Sequence, residues 1–236
     1  MTCSCRLRSF ISSSIGKKVI MAVTGLLLIG FVVVHMLGNL QIFQGQEKLN
    51  GYAYMLQHLG PVLWGFRLGL LALLTIHILS AAFLYVENQS SRINTYTIVS
   101  YKEADLPART MMISGIVITA FVFYHILHFT LGVVQPQYYH LPLPAGGYDV
   151  YSMMVVGYKN VWVSAVYVAS MALLCFHLAH AFQSFLQTLG LNNTDTKPLL
   201  KRVSVALAIV VFIGNCSIPV SCLLGLISIP SGGVTP

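Results

Sequence analysis

Residues 24–35 read TGLLLIGFVVVH, and the apolar run in this segment ends on a histidine ten residues after the first glycine. Residues 114–125, SGIVITAFVFYH, repeat the pattern with a hydroxyl residue, a glycine and a histidine at the same spacing. A second pair of segments also matches, since ALLTIH at 72–77 corresponds to ALLCFH at 172–177. We therefore interpret the chain as a duplicated pair of apolar helices in which each helix carries one histidine.

The composition excludes most soluble proteins. The chain has 236 residues, of which 56% are hydrophobic and only 8% are charged, against about 25% charged in an average soluble domain. So little charge cannot cover the surface of a soluble globular enzyme. The net charge of +7 comes without a basic run interleaved with aromatic residues, which argues against a nucleic-acid partner. We predict a single integral membrane domain over residues 1–236, in contact with membrane lipid.

Five apolar stretches are long enough to cross a bilayer as helices. They cover residues 19–43, 62–86, 110–134, 161–186 and 203–227. Helices are the expected form because the unpaired backbone groups of an open strand are costly inside lipid. The predicted fold is an all-α membrane protein of five transmembrane helices, in which the first four form a bundle and the fifth is additional.

Lysine and arginine are distributed unevenly between the two sides of these spans. Ten of the 13 lie at the N-terminus or in the second and fourth loops. These ten are Arg6, Arg8, Lys17, Lys18, Arg92, Lys102, Arg109, Lys197, Lys201 and Arg202. The positive-inside rule therefore places the N-terminus in the cytoplasm. The longest loop on the opposite side, residues 135–160, contains several prolines and glycines, and we predict irregular turns there.

The histidines of the repeat fall at two depths of the predicted membrane. His35 and His125 come late in spans that run outward, so both lie in the outer half. His77 and His177 come late in spans that run inward, so both lie in the inner half. With a helical rise of about 1.5 Å per residue, the two levels are about 10 Å apart along the membrane normal.

Two pairs of histidines at matched depths indicate a cofactor site. Histidine inside lipid is costly and is usually functional or hydrogen-bonded between helices. Two histidines on facing helices can bind one haem iron from both sides, which suits electron transfer. The sequence has no CxxCH motif, so such a haem would be non-covalent and of the b type. Gly25 and Gly115 would leave room for the flat macrocycle.

Two further histidines compete with these ligands. His128 and His180 each follow a proposed ligand by three residues and lie on nearly the same helix face. The spacing from glycine favours His125 over His128, and the repeat favours His177 over His180. His128 and His180 would then hydrogen-bond to a ligand histidine or contact a haem propionate.

Five motifs follow one another along the sequence: SIGKK at 14–18, TG at 24–25, HMLGNL at 35–40, FHLAHAF at 176–182 and QTLG at 187–190. Together they resemble the cytochrome b subunit of succinate dehydrogenase and fumarate reductase. Their order and spacing are similar to the single-subunit, five-helix, dihaem type of membrane anchor over nearly the whole chain.

The resemblance implies two haem b groups, the inner (proximal) one bound by His77 and His177 and the outer (distal) one by His35 and His125. It also implies a flavoprotein subunit and an iron–sulfur subunit on the cytoplasmic face, with menaquinone or ubiquinone as the quinone. The expected location is the bacterial inner membrane, and a dimer of complexes is compatible with it. Some members of the family carry an acidic residue, tied to transmembrane proton movement, where this chain has Cys175.

The remaining contacts of the haems and the quinone are open. Candidates for propionate contacts are Lys18 and Arg67, and candidates for the quinone site are Asn39, Gln41 and His58. His140 is either an exposed loop residue or a quinone or propionate contact. Four cytoplasmic cations could neutralise the inner propionates or dock the iron–sulfur subunit: Lys17, Lys18, Arg92 and Arg109. The alternative is that these charges only determine the orientation of the spans in the membrane. Arg67 otherwise extends its charge toward the membrane surface.

The chain by itself is not expected to oxidise succinate, because it has no nucleotide-binding glycine motif and no cysteine cluster for iron–sulfur. It would instead contribute to the quinone site of a larger complex. Two other functions stay open on the sequence. One is the cytochrome b subunit of a hydrogenase or formate dehydrogenase, and the other is a haem-free transporter whose histidines relay protons. In a third reading the anchor has kept only one of its haems.

Overall fold

The computed structural model describes residues 3–91, 106–143 and 146–230, with side chains from residue 8 onward. Its α-helices are α1 (Cys3–Ser12), α2 (Ser14–Asn39), α3 (Gln46–Gln57), α4 (Pro61–Ser90), α5 (Leu106–His125), α6 (Val150–Lys159), α7 (Val161–Thr188) and α8 (Lys197–Leu223). Shorter helical turns occupy Leu40–Gln44, Ile126–Thr130 and Pro136–Tyr138. Three cations from the charge analysis lie outside this description: Arg92, Lys102 and the side chain of Arg6.

Five helices of the described chain are long and apolar enough to cross a membrane, as the hydropathy predicted. The chain therefore has the all-helical architecture of a multi-pass membrane protein. The helix ends differ from the predicted ones by several residues. Helix α2 begins at Ser14 rather than near residue 19, because the side chain of Ser13 accepts a hydrogen bond from the backbone N–H of Gly16 at 3.0 Å.

The long helices pack as two pairs that correspond to the sequence repeat. Helix α4 packs on α2, and α5 packs on α7. The two pairs meet where α2 contacts α7, whereas α4 and α5 hardly touch each other. Helix α8 lies on the outside of this contact, where Val211 and Ala208 pack with Ile29, Met36 and Leu178. The duplicated spans thus form two similar halves, and the fifth span covers the joint between them.

The two ends of the bundle are built differently. At the end where α2 begins, Lys17 forms an ion pair with Glu87 near the end of α4. We call this the α1 end. At the opposite end, which we call the α6 end, α3 contacts α6, and α6 packs between α7 and α8. Tyr158 in α6 is buried, and burial raises the pKa of its phenol well above the ordinary value.

Helix α6 corrects the prediction that residues 135–160 form only irregular turns. Asp149 caps this helix by accepting a hydrogen bond from the backbone N–H of Ser152 at 2.9 Å. Its carboxylate also accepts from Gln46 at 2.7 Å and from Asn50 at 2.9 Å, both in α3. Asp149 is only 1% exposed, so these bonds replace the water that a carboxylate otherwise requires. The prolines of this loop and the Gly146–Gly147 pair all precede residue 149, and Gly157 is the one glycine within the helix.

Candidate functional site

His77 is held by the glycine-containing segment of the neighbouring helix. Its Nδ1 lies 3.2 Å from the hydroxyl oxygen of Thr24 and 3.2 Å from the carbonyl oxygen of Met21. A carbonyl only accepts, and the Thr24 hydroxyl donates to Ile20 at 2.8 Å. The proton of the neutral imidazole therefore lies on Nδ1, and the lone pair of Nε2 is left for another partner.

The second half of the repeat builds the same contact. Nδ1 of His177 lies 3.2 Å from the hydroxyl oxygen of Ser114, which itself donates to the carbonyl of Met111 at 3.1 Å. His177 therefore carries its proton on Nδ1 as well. Thr24 and Ser114 occupy equivalent positions of the repeat, so a hydroxyl on one helix orients the histidine of the next in both halves.

The glycines that follow these hydroxyl residues make room for the same rings. A Cβ atom at Gly25 would lie 3.1 Å from Cε1 of His77, and one at Gly115 would lie 3.7 Å from Cε1 of His177. Space for a macrocycle was the role expected from the sequence. In the structure the two glycines allow the inner imidazoles to approach the helix backbone closely, and their role toward a macrocycle stays a prediction.

The two inner histidines, His77 on α4 and His177 on α7, share one more feature. Among the described residues, no group forms a hydrogen bond to Nε2 of His77 or of His177. A histidine that binds a metal generally uses its other ring nitrogen to donate a hydrogen bond that fixes the ring and its tautomer. Both inner histidines have this arrangement.

The outer histidines face each other across the bundle. The ring centroids of His35 and His125 are 5.7 Å apart, and the ring planes are nearly perpendicular, at 88°. Two nitrogens that bind one metal ion from opposite sides lie about 4 Å apart, because each bond is about 2 Å long, and the ring centroids are then about 6 Å apart. The observed separation therefore fits a pair of axial ligands.

The surroundings of these two rings are not alike. His35 is exposed and stacks on Phe31, and its Nε2 accepts a hydrogen bond from the Asn39 amide at 3.1 Å. His125 is half-buried, and its Nδ1 lies 3.3 Å from the Tyr167 hydroxyl. Asn39 must move for His35 to bind a metal through Nε2, whereas Nε2 of His125 has no hydrogen-bond partner among the described residues.

His128 does not replace His125 in this arrangement. Both of its nitrogens are engaged, Nδ1 by the Tyr167 hydroxyl at 3.1 Å and Nε2 by the side-chain oxygen of Gln135 at 3.0 Å. The ring is only 4% exposed. Of the two rings, only that of His125 keeps a nitrogen without a hydrogen-bond partner in the described chain, and the choice of His125 over His128 as a ligand stays a prediction.

The two pairs lie at different levels, as the sequence predicted. The ring of His77 is beside Gly25, whereas the ring of His35 stacks on Phe31, six residues further along α2. This corresponds to about 9 Å along the helix axis.

The other candidate residues are scattered. Arg67 is exposed, with its guanidinium carbon 5.1 Å from the centroid of the Trp64 ring. His58 is exposed and hydrogen-bonds through Nδ1 to the Tyr54 carbonyl at 2.9 Å. Gln41 lies in the turn after α2, and Lys18 is exposed at the α1 end. Within the described chain no hydrogen bond links the candidate quinone residues, so the structure does not assemble them into one site.

Three side chains of the site were missed by the sequence analysis: the Thr24 and Ser114 hydroxyls as histidine partners, and Tyr167. The first two had a signal, because a hydroxyl residue precedes glycine in both halves of the repeat. Tyr167 had none, because its equivalent in the first half is Arg67.

No group of three or more histidine, cysteine or acidic side chains that could hold a metal ion occurs among the described residues. His35 and His125 instead form a pair of facing rings. No family model, curated protein or solved structure matches this chain.

Proposed function

We propose that this protein is a dihaem cytochrome b that anchors a succinate:quinone oxidoreductase in the membrane and carries electrons between its iron–sulfur subunit and quinone. The single observation that carries the proposal is the state of the histidine rings. In His77, His125 and His177, Nδ1 is held by a hydroxyl oxygen, and Nε2 has no hydrogen-bond partner in the described chain. His128, by contrast, has both of its ring nitrogens hydrogen-bonded.

The role of the protein in this proposal is to hold two rings at each of two levels. When bound, a haem with two histidine ligands supplies a one-electron carrier with no open position for oxygen. Thr24 and Ser114 orient the inner rings, and Tyr167 orients His125. Within a bilayer, the apolar side chains of the spans would keep water away from both levels.

The charge distribution supports the proposed topology. Arg8, Lys18 and Arg109 lie at or near the α1 end and are exposed. By the positive-inside rule this end faces the cytoplasm. The flavoprotein and iron–sulfur subunits would bind there, next to the inner histidine pair, in a bacterial inner membrane. Electrons would then pass from the inner to the outer level and on to quinone, or in reverse for fumarate reduction.

Haem content tests the proposal directly. We expect the purified complex to contain two non-covalent b haems per chain by pyridine haemochrome assay against protein. Replacing any one of four histidines with leucine should remove one haem: His35, His77, His125 or His177. The control is Asn215→Leu in α8, which removes a polar side chain that bonds only within its own helix. A folded preparation without haem would refute the proposal and favour the transporter.

A further inference from the structure

We infer that Tyr167 is a positioning residue for His125 and that it acts as the centre of a directional hydrogen-bond chain from His125 through His128 to Gln135. The inference deepens the proposed function and rests on it, because it concerns how one outer ligand is held. The chain has three links, of 3.3, 3.1 and 3.0 Å. It runs from the outer histidine level to the loop at the α6 end.

The last residue of this hydrogen-bond chain, Gln135, determines which atom donates in each of the three hydrogen bonds. The side-chain oxygen of Gln135 can only accept, so Nε2 of His128 donates to it. Nδ1 of the neutral His128 ring is then an acceptor, and the Tyr167 hydroxyl donates to it. The Tyr167 oxygen accepts in turn from Nδ1 of His125. Nε2 of His125 is thereby left unprotonated, which is the form that binds iron.

The surrounding protein holds this chain in place. Tyr167 is 5% exposed and His128 is 4% exposed, so neither can exchange its partner for bulk water. Gly157 of α6 packs against the last link, since a Cβ there would lie 3.3 Å from both Nε2 of His128 and the Gln135 oxygen. Gln135 has a φ of 57°, a left-handed conformation that is uncommon for residues other than glycine. The backbone therefore adopts an unfavoured conformation where the Gln135 amide meets His128.

The first half of the repeat has no such chain. The residue equivalent to His128 is Gly38, and the one equivalent to Tyr167 is Arg67. Gly38 packs against the Tyr52 ring, and Arg67 lies over Trp64. The hydrogen-bond chain is therefore not a by-product of the duplication, and it distinguishes His125 from its counterpart His35.

The chain should affect the electronic properties of the outer haem. A ligand histidine that donates a hydrogen bond through Nδ1 is a stronger electron donor to the metal, which favours the oxidised iron. Without the Tyr167 hydroxyl this stabilisation is reduced, and the midpoint potential of the outer haem should rise. The inner haem would have no contact with this hydrogen-bond chain and should keep its midpoint potential.

The test is a redox titration of the purified complex carrying Tyr167→Phe, in which the haem absorption spectrum reports the reduction of each haem. We expect two haems per chain, one of them with a more positive midpoint potential. The ratio of oxidised to reduced haem should change by up to about tenfold, which corresponds to 59 mV for a one-electron couple. The shifted component should be the one that is absent in His35→Leu. The control is Tyr158→Phe, because Tyr158 packs on Tyr167 at 5.0 Å between centroids but its hydroxyl has no hydrogen bond in the described chain.

A second pair of variants separates positioning from packing. His128→Leu should shift the same potential in the same direction as Tyr167→Phe. His128→Asn places an amide near the position of Nδ1, and its potential should lie closer to that of the wild type. Equal shifts of both haems, no shift, or the same shift in Tyr158→Phe would overturn the inference while leaving the two-haem protein intact. Absence of haem from the wild type would instead refute the proposed function, and this inference with it.

Discussion

The inner and outer histidine pairs are held in different ways, although both belong to the same repeat. At the inner level His77 and His177 each meet a hydroxyl and a glycine at equivalent positions. At the outer level the partners differ, since His35 is contacted by Asn39 and His125 by Tyr167. The duplication is therefore preserved at one level of the membrane and lost at the other.

The reason lies in what surrounds each level. The inner histidines lie where α4 packs on α2 and α5 packs on α7, so both halves offer the same neighbouring helix. The outer histidines lie where the spans end, and the two halves end differently. A 3-10 turn at Leu40–Gln44 follows the first, and a π turn at Ile126–Thr130 follows the second. Turns of the π type often occur at functional sites, and here one carries His128.

The largest effect on haem binding is expected from removing the Thr24 or the Ser114 hydroxyl. Comparing the two variants tests whether the two halves of the repeat support the inner histidines equally. Ser114→Ala removes the hydrogen-bond partner of His177, whereas Thr24→Val leaves His77 the Met21 carbonyl at 3.2 Å. We expect Ser114→Ala to weaken inner haem binding by about 10- to 100-fold, as for other metal-supporting residues, and Thr24→Val to have the smaller effect. The rate of haem transfer to a soluble acceptor protein measures this.

The matched control for these two variants is Thr75→Val, because the Thr75 hydroxyl bonds only to the Leu71 carbonyl in its own helix. Equal losses in Ser114→Ala and Thr24→Val would show that the Met21 carbonyl does not support His77. Loss of the outer haem instead would break the assignment of levels.

A smaller effect is expected at the glycines. Alanine at Gly25 would place Cβ 3.1 Å from the His77 ring, which must shift, whereas alanine at Gly115 would make an ordinary contact of 3.7 Å. Gly25→Ala should therefore perturb the absorption spectrum of the inner haem, and Gly115→Ala should leave it nearly unchanged. Gly30→Ala is the control for helix propensity, since nothing lies near its Cβ position. A larger change in Gly115→Ala than in Gly25→Ala would contradict the packing described.

The smallest effect is expected for the ion pair at the α1 end, which only the first half has. Lys17 and Glu87 correspond to Pro107 and Gln187 in the second half. The Glu87 side chain is 40% exposed, so a coupling energy below about 1 kcal/mol is expected. A double-mutant cycle with Lys17→Met and Glu87→Gln, followed by thermal unfolding in detergent, measures it. A coupling of several kcal/mol would mean that this contact holds α2 and α4 together.

Sequence reasoning was accurate where local pattern decides the structure. Hydropathy predicted the number of spans, and helical rise predicted the two levels of histidine. It failed at helix ends and in α6. Ser13 moves the start of α2 through one hydrogen bond, and α6 depends on Asp149 meeting Gln46 and Asn50, which are far from it along the chain. Such contacts leave no periodic signal in the sequence.

The sequence by itself determined that this is an all-helical membrane chain with four histidines in a duplicated pattern. A bilayer forces long apolar segments into helices, and helical geometry then places each histidine at a fixed depth. Only the tertiary structure decided which ring nitrogen is bonded and which is left for a ligand. Those choices depend on Thr24, Ser114 and Tyr167, each on a different helix from the ring it contacts, and on distances of about 3 Å that helix packing alone sets.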